Sequence, residues 1–476
     1  MRVQFFLSVI VLVCGSEAKG ALRGMFPDKH PPMLQNGVDP GQPVFLTPYV
    51  EKGQFDQAQK ASKVGPIPGV TQDSYAGFFT VNKTTNSNMY FWFFPAQTSP
   101  SNGSAPVLLW LQGGPGGSSL FGLFVENGPY LINKDIKFVK KDITWNSKYS
   151  MLYIDNPVGT GFSFTDKDEG YATNEEDVGR DLYSCLVQFF QVFYQLQQSP
   201  FYVTGESYAG KYVPAISYKI HMENQNPFKK LNINLQGLAI GDGLCDPETM
   251  MPQYADFMFQ IGMLDETQRD YFQKYAMQAT TYIQNKQFGK AFEIFDMLLN
   301  GDLYPYKPYF YNVTNTNNYY NFLLTEPPAD FDYYATALAD PMIRRAIHVG
   351  NLTYHSGEQV EKHIINDIMD TVKPWVAVLM DNYKVMMYTG QLDIIVAIPL
   401  TEAFLQTVQW SGLDRYKSAD RMIWRINDSD KEVAGYVRQV DNFYQVIVRG
   451  GGHILPYDQP ARSFDMITRF ISNTGF

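Results

Sequence analysis

The chain reads as an α/β fold built on a mostly parallel central sheet flanked by helices. Three features predict it. Short apolar runs of strand length recur from residue 107 onward, amphipathic helical stretches separate them, and a glycine-bounded serine stands where one such run passes into a helix. Before them, residues 22 to 70 are rich in Pro and Gly and read as a peripheral arm. Ser74 to Val81 and Met89 to Phe94 predict an antiparallel hairpin around the polar tip Asn82 to Asn88. The strand-like runs are Val107 to Leu111, Met151 to Ile154, Phe201 to Thr204, Gln236 to Ile240, Val385 to Tyr388 and Tyr444 to Val448, with helical segments such as Glu176 to Gln197 between them. The alternation stops after Gly241-Asp242-Gly243 and resumes near Pro341. Between lies a Tyr-, Phe- and Met-rich segment with helical periodicity over Glu266 to Gln284 and Gly289 to Leu299, which reads as a mainly helical cap inserted after a core strand. The division expected is a leader over 1–18, a core over 19–245, the cap over 246–340 and the rest of the core over 341–476.

The serine lies in Gly205-Glu206-Ser207-Tyr208-Ala209-Gly210, between the run Phe201 to Thr204 and the helix-like run Lys211 to His221. A sharp strand-to-helix turn exposes a hydroxyl and aims helix N-terminal N–H groups at a reacting carbonyl, while a base must take the hydroxyl proton. The pattern is a variant of G-x-S-x-G with Ala209 at its last position. On such folds an acid and then a histidine follow the serine, each just past the end of a strand. Of six histidines, His30 precedes the serine, and His221, His348, His355 and His363 follow helical or polar stretches. His453 follows the strand-like Tyr444 to Val448 and the turn Arg449-Gly450-Gly451-Gly452. For the acid, Asp393 follows Val385 to Tyr388 and the turn Thr389-Gly390-Gln391-Leu392. Gln112-Gly113-Gly114-Pro115-Gly116-Gly117-Ser118-Ser119 supplies a fourth part, because glycines after a strand let a backbone N–H approach an oxyanion. A phosphate-cradling reading fails for want of a Lys followed by Ser or Thr at the required spacing.

With these residues in view, the chain resembles the serine carboxypeptidases of the α/β-hydrolase superfamily, most closely their vitellogenic carboxypeptidase-like branch. The matching blocks are Leu109 to Gly116, Val125 to Pro129, Tyr153 to Ser163, Gly205 to Gly210, Gly390 to Asp393 and Gly451 to His453. The resemblance implies Ser207 as nucleophile, His453 as general base and acid, Asp393 as the group that orients it, and the N–H groups of Gly114 and Tyr208 as oxyanion hole. It implies that Gln112, Gly113, Glu126 and Glu206 grip the substrate's terminal carboxylate with Trp110 behind them, and that Phe121, Val125 and Ile454 line an apolar pocket for the leaving residue. Two glutamates suit an anion only when protonated, and close carboxyls in a dry pocket favour that state. An acidic working range follows, although an acid beside the imidazole favours its charged form and opposes activity there. Gln112 stands where many relatives have Asn, and Gly117 where many have a Cys tethered to the inserted segment.

Composition bounds the rest. The net charge of −10 argues against nucleic acid as a partner. Met1-Arg2, the apolar run Phe5 to Cys14 and small residues to Ala18 read as a secretory leader, and no later run reaches the ~18 apolar residues of a membrane span. Sequons at Asn82, Asn102, Asn312, Asn351 and Asn427 fit a secreted or lysosomal glycoprotein. Cys185 and Cys245, the two cysteines outside the leader, could form one disulfide or stay as buried thiols. No cofactor or metal signature is present, the partners expected are peptides with a free C-terminal carboxylate, and a homodimer stays open. The rival activities on such a site are an esterase, an acyltransferase and a non-catalytic binding role.

Overall fold

The computed structural model describes residues 31–34, 37–98, 105–301 and 306–476. The proposed leader and the Asn102 sequon lie outside them. A ten-stranded sheet organises the chain. Its strands are β1 (Tyr75–Asn82), β2 (Ser87–Phe94), β3 (Val107–Leu111), β4 (Ser150–Ile154), β5 (Phe201–Glu206), β6 (Leu235–Gly241), β7 (Lys384–Gly390), β8 (Met422–Trp424), β9 (Gly435–Val440) and β10 (Phe443–Val448). They lie in the order β1-β2-β4-β3-β5-β6-β7-β10-β9-β8. From β4 to β10 every neighbouring pair is parallel, and the strands at either end are antiparallel.

The middle strands read as continuous apolar runs because helices cover both of their faces, and β3 and β4 are buried along their whole length. One covering helix, α1 (Glu175–Val192), starts where Asn174 accepts the Asp177 N–H and carries three acids in its first turn, the end where the helix dipole favours negative charge. It packs against α2 (Ala209–Gln225), the helix that leaves β5. Phe189 of α1 meets Phe91 and Phe93 of β2 edge-on, at 5.8 and 5.2 Å between ring centroids. Between β6 and β7 no strand joins the main sheet among the described residues. That stretch is mainly helical, and its longest element, α3 (Glu266–Gln284), opens on a capping box between Asp265 and Gln268.

Two features depart from expectation. The arm over 22 to 70 is not peripheral throughout: it holds short helices at Thr47–Glu51 and Phe55–Ser62, and Phe45 bridges Phe78 of β1. Leu46 donates to the Phe78 carbonyl at 2.8 Å, so this stretch extends the sheet's edge. Strands β8 and β9 were not anticipated, since Met422 and Ile423 are exposed and Arg438 and Gln439 interrupt the apolar pattern.

Of the two outcomes the sequence leaves open for Cys185 and Cys245, the structure shows buried thiols and no bond. Cys185 packs with Leu182 and Phe189 in the core, while the Cys245 thiol donates to the Gly210 carbonyl in the first turn of α2 at 3.2 Å. Each side chain is thus held by its own surroundings. No described helix is long and apolar enough to cross a membrane.

Candidate active site

The ends of β3, β5, β6, β7 and β10 bring the sequence's candidate residues to one edge of the parallel sheet. At the end of β5 the backbone turns through Ser207, whose φ of +63° is left-handed. A non-glycine residue held there costs of order 1–3 kcal/mol, and three hydrogen bonds hold the turn. Ser207 donates its N–H to the Gly241 carbonyl at 3.0 Å, and its own carbonyl accepts from Gly210 at 2.9 Å and Leu244 at 3.0 Å. The loop after β3 lies directly on this turn. A Cβ on Gly113 would stand 2.5 Å from the Tyr208 nitrogen and 2.7 Å from the Ser207 Cβ, so only glycine fits. The N–H groups of Gly114 and Tyr208 are used by no hydrogen bond among the described residues.

His453 and Asp393 meet from two other strand ends. The His453 Nδ1 lies 2.8 Å from the Asp393 Oδ2, and both side chains are fully buried. The Val396 N–H donates to both Asp393 oxygens at 3.2 and 3.3 Å, and the His453 N–H donates to the Tyr320 carbonyl at 2.6 Å. The second imidazole nitrogen, Nε2, has no hydrogen-bond partner among the described residues. It is the atom left to exchange a proton with a hydroxyl or a leaving group.

Beyond the serine lies a buried polar chain. Trp110 Nε1 donates to the Gln112 Oε1 at 2.9 Å, and the Gln112 amide donates to the Glu206 Oε1 at 2.8 Å. This fixes which end of the amide faces the acid and gives the longer Gln side chain a defined seat. Trp110 itself is wedged, since a Cβ on Gly122 would come within 2.1 Å of its Nε1. Glu126 adjoins Glu206, and both are buried. Burial pushes the Glu126 carboxyl up to about 7, against the opposing influence of the neighbouring Glu206, Gln112 and Lys141 side chains. Burial and then the charge of Glu126 push Glu206 well above the usual carboxylate range. Neither Glu126 oxygen, nor the Glu206 Oε2, has a donor among the described residues.

Of the residues expected to line the side-chain pocket, Phe121 and Val125 follow the glycine loop and Ile454 follows His453. Phe121 is fully enclosed, edge-on to Phe331 at 5.2 Å. Val125 lines a cavity of about 210 Å³ that Lys141 and Asp330 also line, so it is not wholly apolar. Ile454 borders a separate depression with Tyr320, Phe331 and Asp458. Sequence reasoning missed several supporting residues. Asp155 accepts from the Ser118 hydroxyl at 2.5 Å and the Phe162 N–H at 2.8 Å, which ties the glycine loop to the block Tyr153 to Ser163. Asp458 accepts from the Gly452 N–H at 2.7 Å and from Asn321 at 3.0 Å, clamping the turn before His453. Asp242, at the end of β6, accepts the Gly390 N–H at 2.8 Å. One signal for Asp242 was available, since it follows a core strand as Asp393 does.

Asp242, Asp393 and His453 each place a ligand-type atom within 4.8 Å of the others. A separation of 2.8 Å between Nδ1 and Oδ2 is that of a hydrogen bond, whereas two donors around a tetrahedral zinc would stand ~3.3 Å apart.

The family model for serine carboxypeptidases matches residues 66–473. The chain is 57% identical over 438 residues to a human protein described as a probable serine carboxypeptidase CPVL, covering 92% of this chain and 91% of that one. It is 42% identical over 434 residues to the vitellogenic carboxypeptidase of Aedes aegypti, covering 90% of each. Among solved structures it is similar to Kex1Δp, a prohormone-processing carboxypeptidase from Saccharomyces cerevisiae, with a TM-score of 0.76 at 22% identity over 87% of this chain and 96% of that one; this likeness bears on the α/β-hydrolase fold alone. The chain belongs to the serine carboxypeptidase family.

Proposed function

We propose that this serine carboxypeptidase removes single C-terminal residues from peptides at acidic pH, through a triad of Ser207, His453 and Asp393 and an acyl-enzyme. The observation that carries the exopeptidase reading is the buried Glu126–Glu206 pair, in which Glu206 immediately precedes Ser207 and is held by the Gln112 amide. An esterase or lipase has no use for such a pair. Protonated, the two acids donate hydrogen bonds to a substrate's terminal carboxylate, together with the Gln112 amide and the Gly113 N–H, and the last peptide carbonyl then lies over Ser207.

In this reading the Ser207 Oγ attacks that carbonyl while His453 Nε2 takes its proton, and Asp393 holds the Nδ1–H side of the ring. The oxyanion falls to the Gly114 and Tyr208 N–H groups. His453 returns the proton to the departing amino group, and water resolves the ester by the same route. Residues 246–340 act as the cap, supplying Tyr320, Asn321 and Phe331 to the site's wall. Passage through the secretory route to an extracellular or lysosomal destination fits the leader-like N-terminus. Asn312, Asn351 and Asn427 are exposed and Asn82 is partly exposed, as glycan acceptors must be.

Side-by-side assay of a blocked dipeptide, a fatty ester and an acyl-glucose tests the reading. Release of the C-terminal amino acid from the dipeptide is expected. Transfer of the acyl group from the glucose ester without dipeptide hydrolysis would make the protein an acyltransferase, and inactivity on all three would favour a binding role.

A further inference from the structure

The triad reading leaves a difficulty: an acid beside the imidazole favours its charged form, which is inactive as a base, yet the enzyme is to work at low pH. Asp242 bears on it. Its side chain is fully buried, its φ is +44°, and its Oδ1 is taken up by the Gly390 N–H on the strand that leads to Asp393. Its Oδ2 has no donor among the described residues, and a carboxyl oxygen of Asp242 lies within 4.8 Å of one of Asp393 and of a ring nitrogen of His453. Two carboxylate oxygens facing one another in a dry site can neither bond nor stay charged together cheaply. A single proton between them removes both problems.

We propose that Asp242 keeps its proton and donates it as a hydrogen bond from Oδ2 to the Asp393 carboxylate, so that Asp393 serves His453 on one side and Asp242 on the other. The proposal rests on the triad reading and makes Asp242 a positioning residue, since it touches Asp393 and not the substrate. A carboxylate that already accepts a strong hydrogen bond spreads less of its charge onto the imidazole. The acidic limb of catalysis then lies at lower pH than an unshielded Asp393 would permit. Burial first, and then the charge of Asp393, push the Asp242 carboxyl well above the usual range. The charged and titratable groups around the pair are Asp393, His453, Asp458 and Glu206, with the hydroxyls of Tyr388 beside β6 and of Tyr254, which donates to the Ile395 carbonyl. Among these only the imidazole can carry positive charge, and no Lys or Arg is among the causes acting on Asp242.

The test is the pH profile of kcat/KM for an ester lacking a terminal carboxylate, which keeps the Glu126–Glu206 pair out of the acidic limb. Asp242→Asn retains a donor toward Asp393, an acceptor for the Gly390 N–H and a side chain suited to left-handed backbone. Its acidic limb should coincide with that of the wild type. Asp242→Ala removes the donor, and its acidic limb should move up by roughly 0.5 to 1 pH unit. A limb shifted downward in Asp242→Asn would mean that Asp242 is ionised, and an unmoved limb in Asp242→Ala would mean that it does not act on His453; either overturns the proposal. Should Asp242→Ala not fold, infrared difference spectra of wild type minus Asp242→Asn at pH 6 decide. A protonated-carboxyl C=O band is expected, and its absence overturns the proposal. Ester turnover undiminished in Ser207→Ala would bring down the triad reading and this one with it.

Discussion

Two pairs of carboxyl groups lie on either side of Ser207, and the same physics sets them different tasks. Glu126 and Glu206 adjoin a neutral amide, Gln112, which is anchored on Trp110. Asp242 and Asp393 adjoin an imidazole. Both pairs are buried, so in each the cost of holding two charges in a dry site favours retention of a proton. At the glutamates the cationic side chain acting on Glu126 among the described residues is Lys141, whose Nζ donates to the backbone carbonyls of Val125 and Glu126 and which burial lowers to about 8. The proton there is free to meet an incoming carboxylate. At the aspartates a permanent partner is present, and in the roles proposed above Asp393 serves His453 while Asp242 serves Asp393. A buried acid's role is therefore set by its neighbour, and residue type alone would not separate the two pairs.

The largest expected effect breaks both halves of the comparison at once. Ser207→Ala should lower peptide turnover by at least ~10⁴-fold, as expected where triad members act as a unit, while the circular dichroism spectrum stays that of the wild type. More than a tenth of wild-type turnover in folded protein would remove the nucleophile from the scheme. Gln112→Ala touches the glutamate side only. It strips Glu206 of its donor and Trp110 of its acceptor, and losing a buried polar contact costs about 1–3 kcal/mol. The KM for peptides should rise roughly tenfold to a hundredfold, with little change for an ester lacking the terminal carboxylate. Equal losses on both substrates would show that the amide supports the fold and not the carboxylate site.

A smaller effect concerns stability. Glu126, and likewise Asp155, are pushed up to about 7 by burial. A carboxyl raised in the folded state contributes stability that is fully present below its unfolded value, near 4.5 for Glu, and is lost as pH rises through about 7. The melting temperature should therefore fall between pH 5 and pH 7.5, and Glu126→Gln, which cannot ionise, should fall less. A Tm that rises over this window would contradict the assignment of protons to these groups.

Much of this site was readable from residue order because its parts stand at strand ends. Val107 to Leu111 coincides with β3, and the glycine loop, Ser207, Asp393 and His453 each follow a short apolar run that became a parallel strand. What was not readable depends on approach between distant segments. Asp242 read only as part of a turn where the cap begins, and its nearness to Asp393 comes from the pairing of β6 with β7. Tyr320 reaches His453 from the inserted segment through a backbone carbonyl, which no side-chain pattern reports. Val125 and Ile454 stand on different loops, the former near Lys141 and Asp330 and the latter near Tyr320 and Asp458, so whether they share a pocket depends on an approach that residue order does not report. Cys185 and Cys245 show the same limit: their count allows a bond, and their separate packing prevents one.

The central claim is that the Glu126–Glu206 pair binds the substrate's terminal carboxylate only while it holds a proton. It is tested most directly by comparing kcat/KM against pH for one blocked peptide and for its C-terminal amide. Burial pushes the Glu126 carboxyl up to about 7 and Glu206 higher still, so the pair holds both protons only below about that value, and cleavage of the free acid should decline as pH rises through it. The amide, whose N–H groups an ionised pair can accept, should keep its rate there, and Glu126→Gln should flatten the decline for the acid. Coincident alkaline limbs for acid and amide in the wild type, unchanged by Glu126→Gln, would show that the glutamates do not hold the carboxylate.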